Sequence, residues 1–530
     1  LPVALKEMAE NLTQHLQKLN APSFISKDDE TIFDIINPHL IAEKLMENAD
    51  QVFGGFGGAP KFPQTAAIIY LLRQFLFGKK ESHLQQALLS LDKMMQGGIY
   101  DQIGGGFARY STDEKWLAPH FEKMLYDNAL LLMAYTEAYQ LTKDKKYKVI
   151  ILQTFQFLER EMMDKKGGFY SALDADSEGV EGKFYTWKKN EIEDILGNDA
   201  SLFCQVYNVQ ENGNWENTNI LWLPVALKEM AENLKITIDV LLEKLNICRE
   251  KLLIERNKRI RPATDTKILS GWNALLIAAY CKASMALNDD ILKKRAISTM
   301  EFLEKNCLDK NEDWLHAASE NPRQSAFLDD QAYIIQAYIL LQEMTGETKY
   351  LDKAKSLAEF VIVHFSDSDN CLFYFTPQMQ NDILYRKIEI YDSATPSGNA
   401  LMAQNLFYLS KIYDLKAWEE RSMNMLQTIG KNILLHPLSF GNWALQVQAM
   451  IAGIPEIVIT GAVSGEVRAE ILQLYLPSRI LQSALSPNDD FPMLKEKIFD
   501  KRNAMIYLCH NYSCEKPVKS AEQLFLLLKY

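Results

Sequence analysis

The fold class this 530-residue chain predicts is all-α: an (α/α)6 toroid with six inner helices ringed by six outer ones. Three observations predict it. Helical periodicity dominates from about residue 40 to about residue 453. Two styles of helix alternate along that span, and two lengths of connection alternate with them. A helix that is apolar around its whole circumference has to be buried, whereas an amphipathic one covers something. Six of each in strict alternation are satisfied by one ring inside another.

The elements follow in order. "LIAEKLMENADQVF" (40–53) carries its charges on one side and is read as outer; "PQTAAIIYLLRQFLF" (63–77) is apolar nearly all round and is read as inner. The alternation continues through outer "SHLQQALLSLDKMMQ", inner "PHFEKMLYDNALLLMAY", outer "KKYKVIILQTFQFLEREMM" and inner "LSGWNALLIAAYCKA". It closes with outer "DDILKKRAISTMEFLEKN", inner "AFLDDQAYIIQAYILL", outer "TKYLDKAKSLAEFVIVHF", inner "TPSGNALMAQNLFYLS", outer "AWEERSMNMLQTIGKNIL" and inner "SFGNWALQVQAMIAG". The inner helices are expected to begin near Pro63, Pro119, Leu269, Phe327, Pro396 and Phe440. Proline fits a first helical position because its missing N–H has no partner there anyway.

Inner-to-outer connections are short ("FGKKE", "LTKD", "LNDD", "MTGE", "DLK"), and outer-to-inner ones are mostly long and rich in glycine and aromatics. All the long loops are therefore expected on one face, with "KFYTW" and "LFYFT" as β-hairpins. Long structured loops are where function concentrates, and six helix N-termini with free N–H groups point there too. Such a floor suits an oxygen-rich or anionic ligand. Residues 1–39 read as an N-terminal linker helix, 40–453 as the barrel with a charged helical insertion at 188–262, and 454–530 as a small α/β subdomain. "LPVALKEMAENL" occurs identically at Leu1–Leu12 and Leu223–Leu234, the second copy reading as continuous helix; no function is drawn from it.

Composition excludes several classes. A formal charge of −12 argues against nucleic acid or an anionic membrane as partner, and the apolar runs are too short to span a bilayer. Seven scattered cysteines fit a reducing compartment, hence a cytoplasmic location, better than a disulfide framework; only Cys509 and Cys514 lie close together. With no second pair at ligand spacing, neither a metal nor a cofactor is expected.

The candidate chemistry sits at the inner-helix entrances. "GGIYDQIGGGFARYSTDEKWLAPHFEKMLYDNALLL" offers Arg109, Tyr110, Asp113, His120 and Glu122. In a helix starting at Pro119, His120, Lys123 and Asp127 share one face, and His120 is read either as a general acid/base or as a pin for its own loop. Arg109 holds either a substrate oxygen or the loop, through Asp113. "SALDADSEGVEGKFYTW" places Asp174 and Asp176 on one side of an extended segment, with Glu178 and Glu181 following. Two carboxylates in differing environments are what glycoside chemistry requires; the plainer readings are a solvated acidic hairpin or a calcium-like oxygen cluster, and the loop lacks the full EF-hand spacing. "DTKILSGWNALL" gives Lys267, Trp272 and Asn273, and "SAFLDDQAY" gives Asp329 and Asp330. One of these two aspartates is set against a mere helix-dipole role. "PSGNAL" gives Asn399, and "GGFGGAPKFP" gives Lys61.

Those stretches, with the terminal "CHNYSC", resemble the thioredoxin-domain-containing family related to spermatogenesis-associated protein (the DUF255 family), over about residues 40–530. The resemblance implies a six-hairpin glycosidase-like toroid, similar to that of N-acylglucosamine 2-epimerases. It also implies a thioredoxin-like domain ahead of it, whose trailing linker residues 1–39 resemble. The expected function is carbohydrate-active: a sugar epimerase or isomerase with His120 as first base and His316 or His436 as second, or a glycosidase pairing Asp174 or Asp176 with Asp329 or Asp330. The alternative is a non-catalytic glycan- or protein-binding module working with the thioredoxin-like domain.

Overall fold

The computed structural model describes residues 37–318, 324–368, 370–380 and 382–528, together with Lys6, Met8 and Asn11. Most of the expected linker helix, and the first copy of the duplicated segment beyond those three residues, lies outside the described residues. The fold class is that of the all-α (α/α)6 toroids. The chain divides into two compact units: Leu45–Phe75 with Lys79–Ile268, and Leu269–Tyr530 with Leu76–Gly78 and the residues up to Lys44.

The two helix styles separate as burial demands. Along Ser270–Leu287 almost every residue is buried, including Ala274, Leu275, Leu276, Ile277, Ala278 and Ala279. Along Lys145–Glu161 the buried set is Tyr147, Ile150, Ile151, Thr154, Phe155, Phe157 and Leu158, a single stripe repeating at three and four residues. Five of the inner helices begin within two residues of expectation, at Thr65, Ser270, Leu328, Gly398 and Gly441. The sixth does not. Its helix is Leu125–Thr142, and Pro119–His120 is a strand.

In the first unit, short strands replace the expected helical turns. β1 (Tyr110–Ser111) pairs antiparallel with β2 (Pro119–His120). β3 (Lys123–Met124) pairs with β4 (Ala172–Leu173), which in turn pairs with β7 (Thr264–Asp265). β5 (Asp176–Ser177) and β6 (Val180–Glu181) form the acidic hairpin. "KFYTW" and "LFYFT", expected as hairpins, form none: "KFYTW" makes a single antiparallel bridge, Trp187 to Asn219, and "LFYFT" holds no strand. The sheet of β3, β4 and β7 gathers three long loops at one place, as the loop asymmetry predicts within this unit. Residues 188–262 share a buried cluster with Ile103 and Trp187, in which Phe203, Tyr207, Leu241, Leu245 and Cys248 are also buried. The second copy of the duplicated segment is helical only over Leu227–Asn233.

In the second unit the helices Leu328–Thr345 and Gly398–Tyr413 pack against the C-terminal sheet. Glu343 pairs with Arg479 at 2.6 Å, and the Tyr408 hydroxyl donates to the Leu481 carbonyl at 3.2 Å. β8 (Glu456–Thr460) lies parallel to β9 (Ile480–Ala484) and antiparallel to β10 (Met505–His510), and β11 (Ser513–Cys514) closes the sheet edge. Cys509 and Cys514 are joined by a disulfide, so the reading of the cysteines as thiols alone is corrected for this pair. No helix among the described residues is long and apolar enough to cross a membrane.

Candidate active site

The tandem aspartates of "FLDDQ" occupy the first turn of the helix Leu328–Thr345, and each reaches sideways to the start of a neighbouring helix. Asp330 Oδ1 accepts the Gly271 N–H at 3.2 Å, and Asp329 Oδ1 accepts the Gly398 N–H at 2.9 Å. Unpaired N–H groups at helix N-termini are thus satisfied by carboxylates from the helix between them. Both glycines are needed by close approach: a Cβ at Gly271 would lie 2.3 Å from Asp330 Oδ1, and one at Gly398 would lie 2.4 Å from Asp329 Oδ1.

The two carboxyls then differ. Asp330 Oδ2 accepts from the Phe327 N–H at 2.9 Å and from His316 Nδ1–H at 2.8 Å. Burial works against a charged His316 imidazole, but the hydrogen bond and charge of Asp330 outweigh it, and the His316 pKa is raised. Asp329 is raised to about 7, first by burial and then by the like charges of Asp330 and Glu389. Only the Gly398 N–H and, further off, Lys387 oppose that rise. One carboxyl is therefore a proton donor near neutrality, and the other anchors an imidazole. Environments that split two adjacent carboxyls in this way mark acid and base roles. His316, Phe327, Asp329 and Trp272 are all part exposed. Beside them Phe327 stacks on Phe375 with ring centroids 4.8 Å apart. Asp392, in the loop before Gly398, is raised to about 6 by burial against the backbone N–H groups of Ser397, Asn442 and Gly441, so it braces that loop.

The remaining predicted residues of this unit are spent internally. Asn399 is fully buried, accepting from the Phe373 N–H at 2.8 Å and donating to the Phe373 and Glu389 carbonyls at 2.9 Å each. Asn273 is fully buried and donates to the Leu269 carbonyl at 2.9 Å. His436 is not so spent: it ends the helix Lys416–Leu435 as its C-cap through its backbone N–H, which donates to the Asn432 carbonyl, and the residue is exposed.

In the other unit His120 faces carboxylates. Its Nδ1–H donates to Glu181 at 2.7 Å, Glu122 lies 3.8 Å from Nε2, and its ring stacks on Tyr110. Arg109 pairs with Glu122 at 3.3 Å. Asp127 sits in the first turn of Leu125–Thr142, and burial raises its carboxyl well above the usual range against the pull of Arg109. The helical face expected to join His120, Lys123 and Asp127 is corrected: His120 and Lys123 are on strands because β2 and β3 have partners. Lys61 is fully buried, held by Asp50 at 2.6 Å and by the Gly54 and Glu114 carbonyls at 3.0 and 2.8 Å. Asp113 caps its own loop through the N–H groups of Lys115, Leu117 and Ala118. Asp174 and Asp176 are exposed on one side of the acidic hairpin, and exposed Lys267 pairs with Asp265 at 2.7 Å.

Sequence reasoning did not single out Asp101. It sits among the glycines of the 97–106 loop, next to a cavity of about 20 Å³, room for roughly one water. Its carboxylate binds Lys123 at 2.9 Å and Arg256 at 2.8 Å, all three nearly sealed from solvent.

Replacing Gly398 by Ala should displace Asp329 and destabilise the fold by about 1–3 kcal/mol, the usual cost of overpacking. Gly465→Ala, in a helix with nothing within 4 Å of the added carbon, should be neutral or stabilising by up to about 1 kcal/mol. Urea denaturation of the two variants checks the pair; equal shifts would mean that the Asp329–Gly398 approach is not tight.

No family model matches the chain. It is homologous to spermatogenesis-associated protein 20: the Homo sapiens protein is 28% identical over 92% of this chain and 68% of its own length. An uncharacterised protein of Caenorhabditis elegans is 29% identical over 98% of this chain and 76% of its own length. Among solved structures, an unsaturated glucuronyl hydrolase specific for heparin is 12% identical with a TM-score of 0.44, covering 79% of this chain and 97% of that one.

Proposed function

We propose that the chain is a carbohydrate-active enzyme in which Asp329 gives the proton and His316, braced by Asp330, takes one. The observation that carries the reading is the unequal setting of the adjacent aspartates: one carboxyl raised to about 7, the other hydrogen-bonded to an imidazole. Among the described residues His316 Nε2 has no hydrogen-bond partner, so it is the nitrogen available to substrate. An imidazole that accepts a proton at Nε2 becomes a cation, which Asp330 stabilises across Nδ1–H. The part-exposed Phe327–Phe375 stack and Trp272 supply the apolar faces on which a sugar ring lies, and neutral Asp329 serves a hydroxyl or glycosidic oxygen.

The test is a panel of monosaccharides, uronates and oligosaccharides, read first by thermal stabilisation. A ligand at 100 times its Kd adds about 2.7 kcal/mol. Each stabilising sugar is then incubated with the protein in deuterated water and followed by proton NMR. Deuterium entering a ring carbon marks epimerisation or isomerisation, and new reducing ends mark hydrolysis. A sugar that binds and is never turned over would place the chain in the glycan-binding class instead. A panel with neither binding nor turnover would sink both.

A further inference from the structure

We infer that Cys509 and Cys514 form a reversible thiol–disulfide exchange site that a soluble dithiol reduces in the folded protein. The two residues face each other across the edge hairpin, Cys509 on β10 and Cys514 on β11. Their surroundings are unequal. Cys509 is 2% exposed, whereas Cys514 is part exposed, so a reagent meets Cys514 first. Lys497 Nζ donates to Cys514 Sγ at 3.1 Å. An ammonium group at that distance favours a thiolate over a thiol. Four of the five free cysteines offer the contrast: Cys204, Cys248, Cys281 and Cys307 are buried, with only Cys371 part exposed, and burial pushes the Cys307 thiol up to about 12.

The hairpin is also held without the bridge. Its two turn residues, Asn511 and Tyr512, have positive φ, and the Glu456 carboxylate accepts both of their backbone N–H groups at 3.1 Å. The Tyr512 hydroxyl donates to the Lys411 carbonyl at 2.9 Å, and Lys411 Nζ donates to Asn511 Oδ1 at 3.1 Å. Opening the S–S bond therefore leaves the two sulfurs facing each other, ready to close again.

The exchange balances with a dithiol as reductant. A thiolate of the dithiol attacks Cys514 Sγ, a new S–S bond forms, and the electron pair of the old bond leaves on Cys509, which takes a proton from water. The second thiolate of the reagent then attacks its own bridged sulfur and displaces Cys514 as a thiolate beside Lys497. Two electrons pass to the protein, Cys509 gains one proton, Cys514 remains a thiolate paired with the Lys497 ammonium, and the reagent leaves as a cyclic disulfide.

The full chain, folded, is treated with millimolar dithiothreitol, and its thiols are counted by alkylation and peptide mass spectrometry. The expected result is two new thiols, at Cys509 and Cys514, with the circular dichroism unchanged and the bond restored by oxidised glutathione. Lys497→Met, which keeps most of the stem and removes the charge, should slow reduction about ten-fold. Lys497→Arg should keep the rate, which covers a Lys497→Met chain that fails to fold. Thiols that appear only in denaturant would overturn the inference, as would a Lys497→Met chain, or failing that a Lys497→Ala one, reduced as fast as the wild type.

Discussion

Asp329→Asn should reduce turnover of any sugar that the panel identifies as a substrate by about 10²–10⁴-fold, the worth of one positioned proton donor, and leave the chain folded. The variant keeps the shape and keeps an Oδ1 to accept the Gly398 N–H. What it loses is the proton. Because Asp329 is raised to about 7, the wild-type rate should fall as pH rises through that value, and the variant's residual rate should not follow that limb. Stability should fall in the same direction, over a lower range of pH. A carboxyl whose folded pKa lies above its unfolded value of 3.8 binds the extra proton in the folded state, so wild-type stability declines from about pH 4 to about pH 7 on its account. The amide removes that decline, so the variant should be at least as stable as the wild type above pH 7. His316→Asn should cost a similar factor and remove the opposite limb of the profile. Full turnover in a folded Asp329→Asn chain would make the aspartate a bolt between helix starts and nothing more.

Much of this was legible in the sequence. The helix pattern could be read because burial on all sides and burial on one stripe leave different residue patterns, and neither depends on distant partners. The entrance at "FLDDQ" could be read because two acids in a first turn exceed what a helix dipole needs. His316 came into view as a candidate base from its loop position alone. The start of the helix bearing His120 could not be read. Pro119 is a sound signal for a first helical position, but Ser111 claims it as a strand partner, and Lys123 pairs with Leu173. A strand of two residues has no periodicity to detect, and its partner lies about fifty positions away. Asn399 and Lys61 were misjudged for a related reason. A polar residue in a glycine-rich loop looks free until the carbonyls that surround it are known.

The glycines of "DQIGGGF" belong to the same hidden layer, and the prediction they lead to concerns Asp101. The loop backbone passes so close to its neighbours that a Cβ at Gly104 would lie 2.0 Å from Arg256 Nη2, and one at Gly106 would lie 2.2 Å from the Phe157 ring. Gly106 also has a φ of +81°, which disfavours any side chain. That approach lets Asp101 accept the Ile103 and Gly104 N–H groups at 3.0 and 2.9 Å while binding Lys123 and Arg256. Lys123 lies over the Phe157 and Tyr185 rings, and Arg256 over Phe184. Burial opposes ionisation of Asp101, yet the two cations hold its carboxyl well below the usual carboxylate range. Burial also lowers Lys123, to about 8, in spite of Asp101. Asp101→Asn keeps the shape but strands two cations in the interior, and should cost about 3–5 kcal/mol. The wild-type contribution should be complete above the unfolded carboxylate pKa of 3.8 and vanish as pH falls through the depressed folded value, so the variant's stability should depend less on pH in acid. Urea unfolding of Asp101→Asn, Lys123→Met and the double variant decides between a bolt and a bystander. If the carboxylate offsets the buried charge, Lys123→Met should cost far less in the Asp101→Asn background than alone. Strictly additive losses would show that the pair is not coupled.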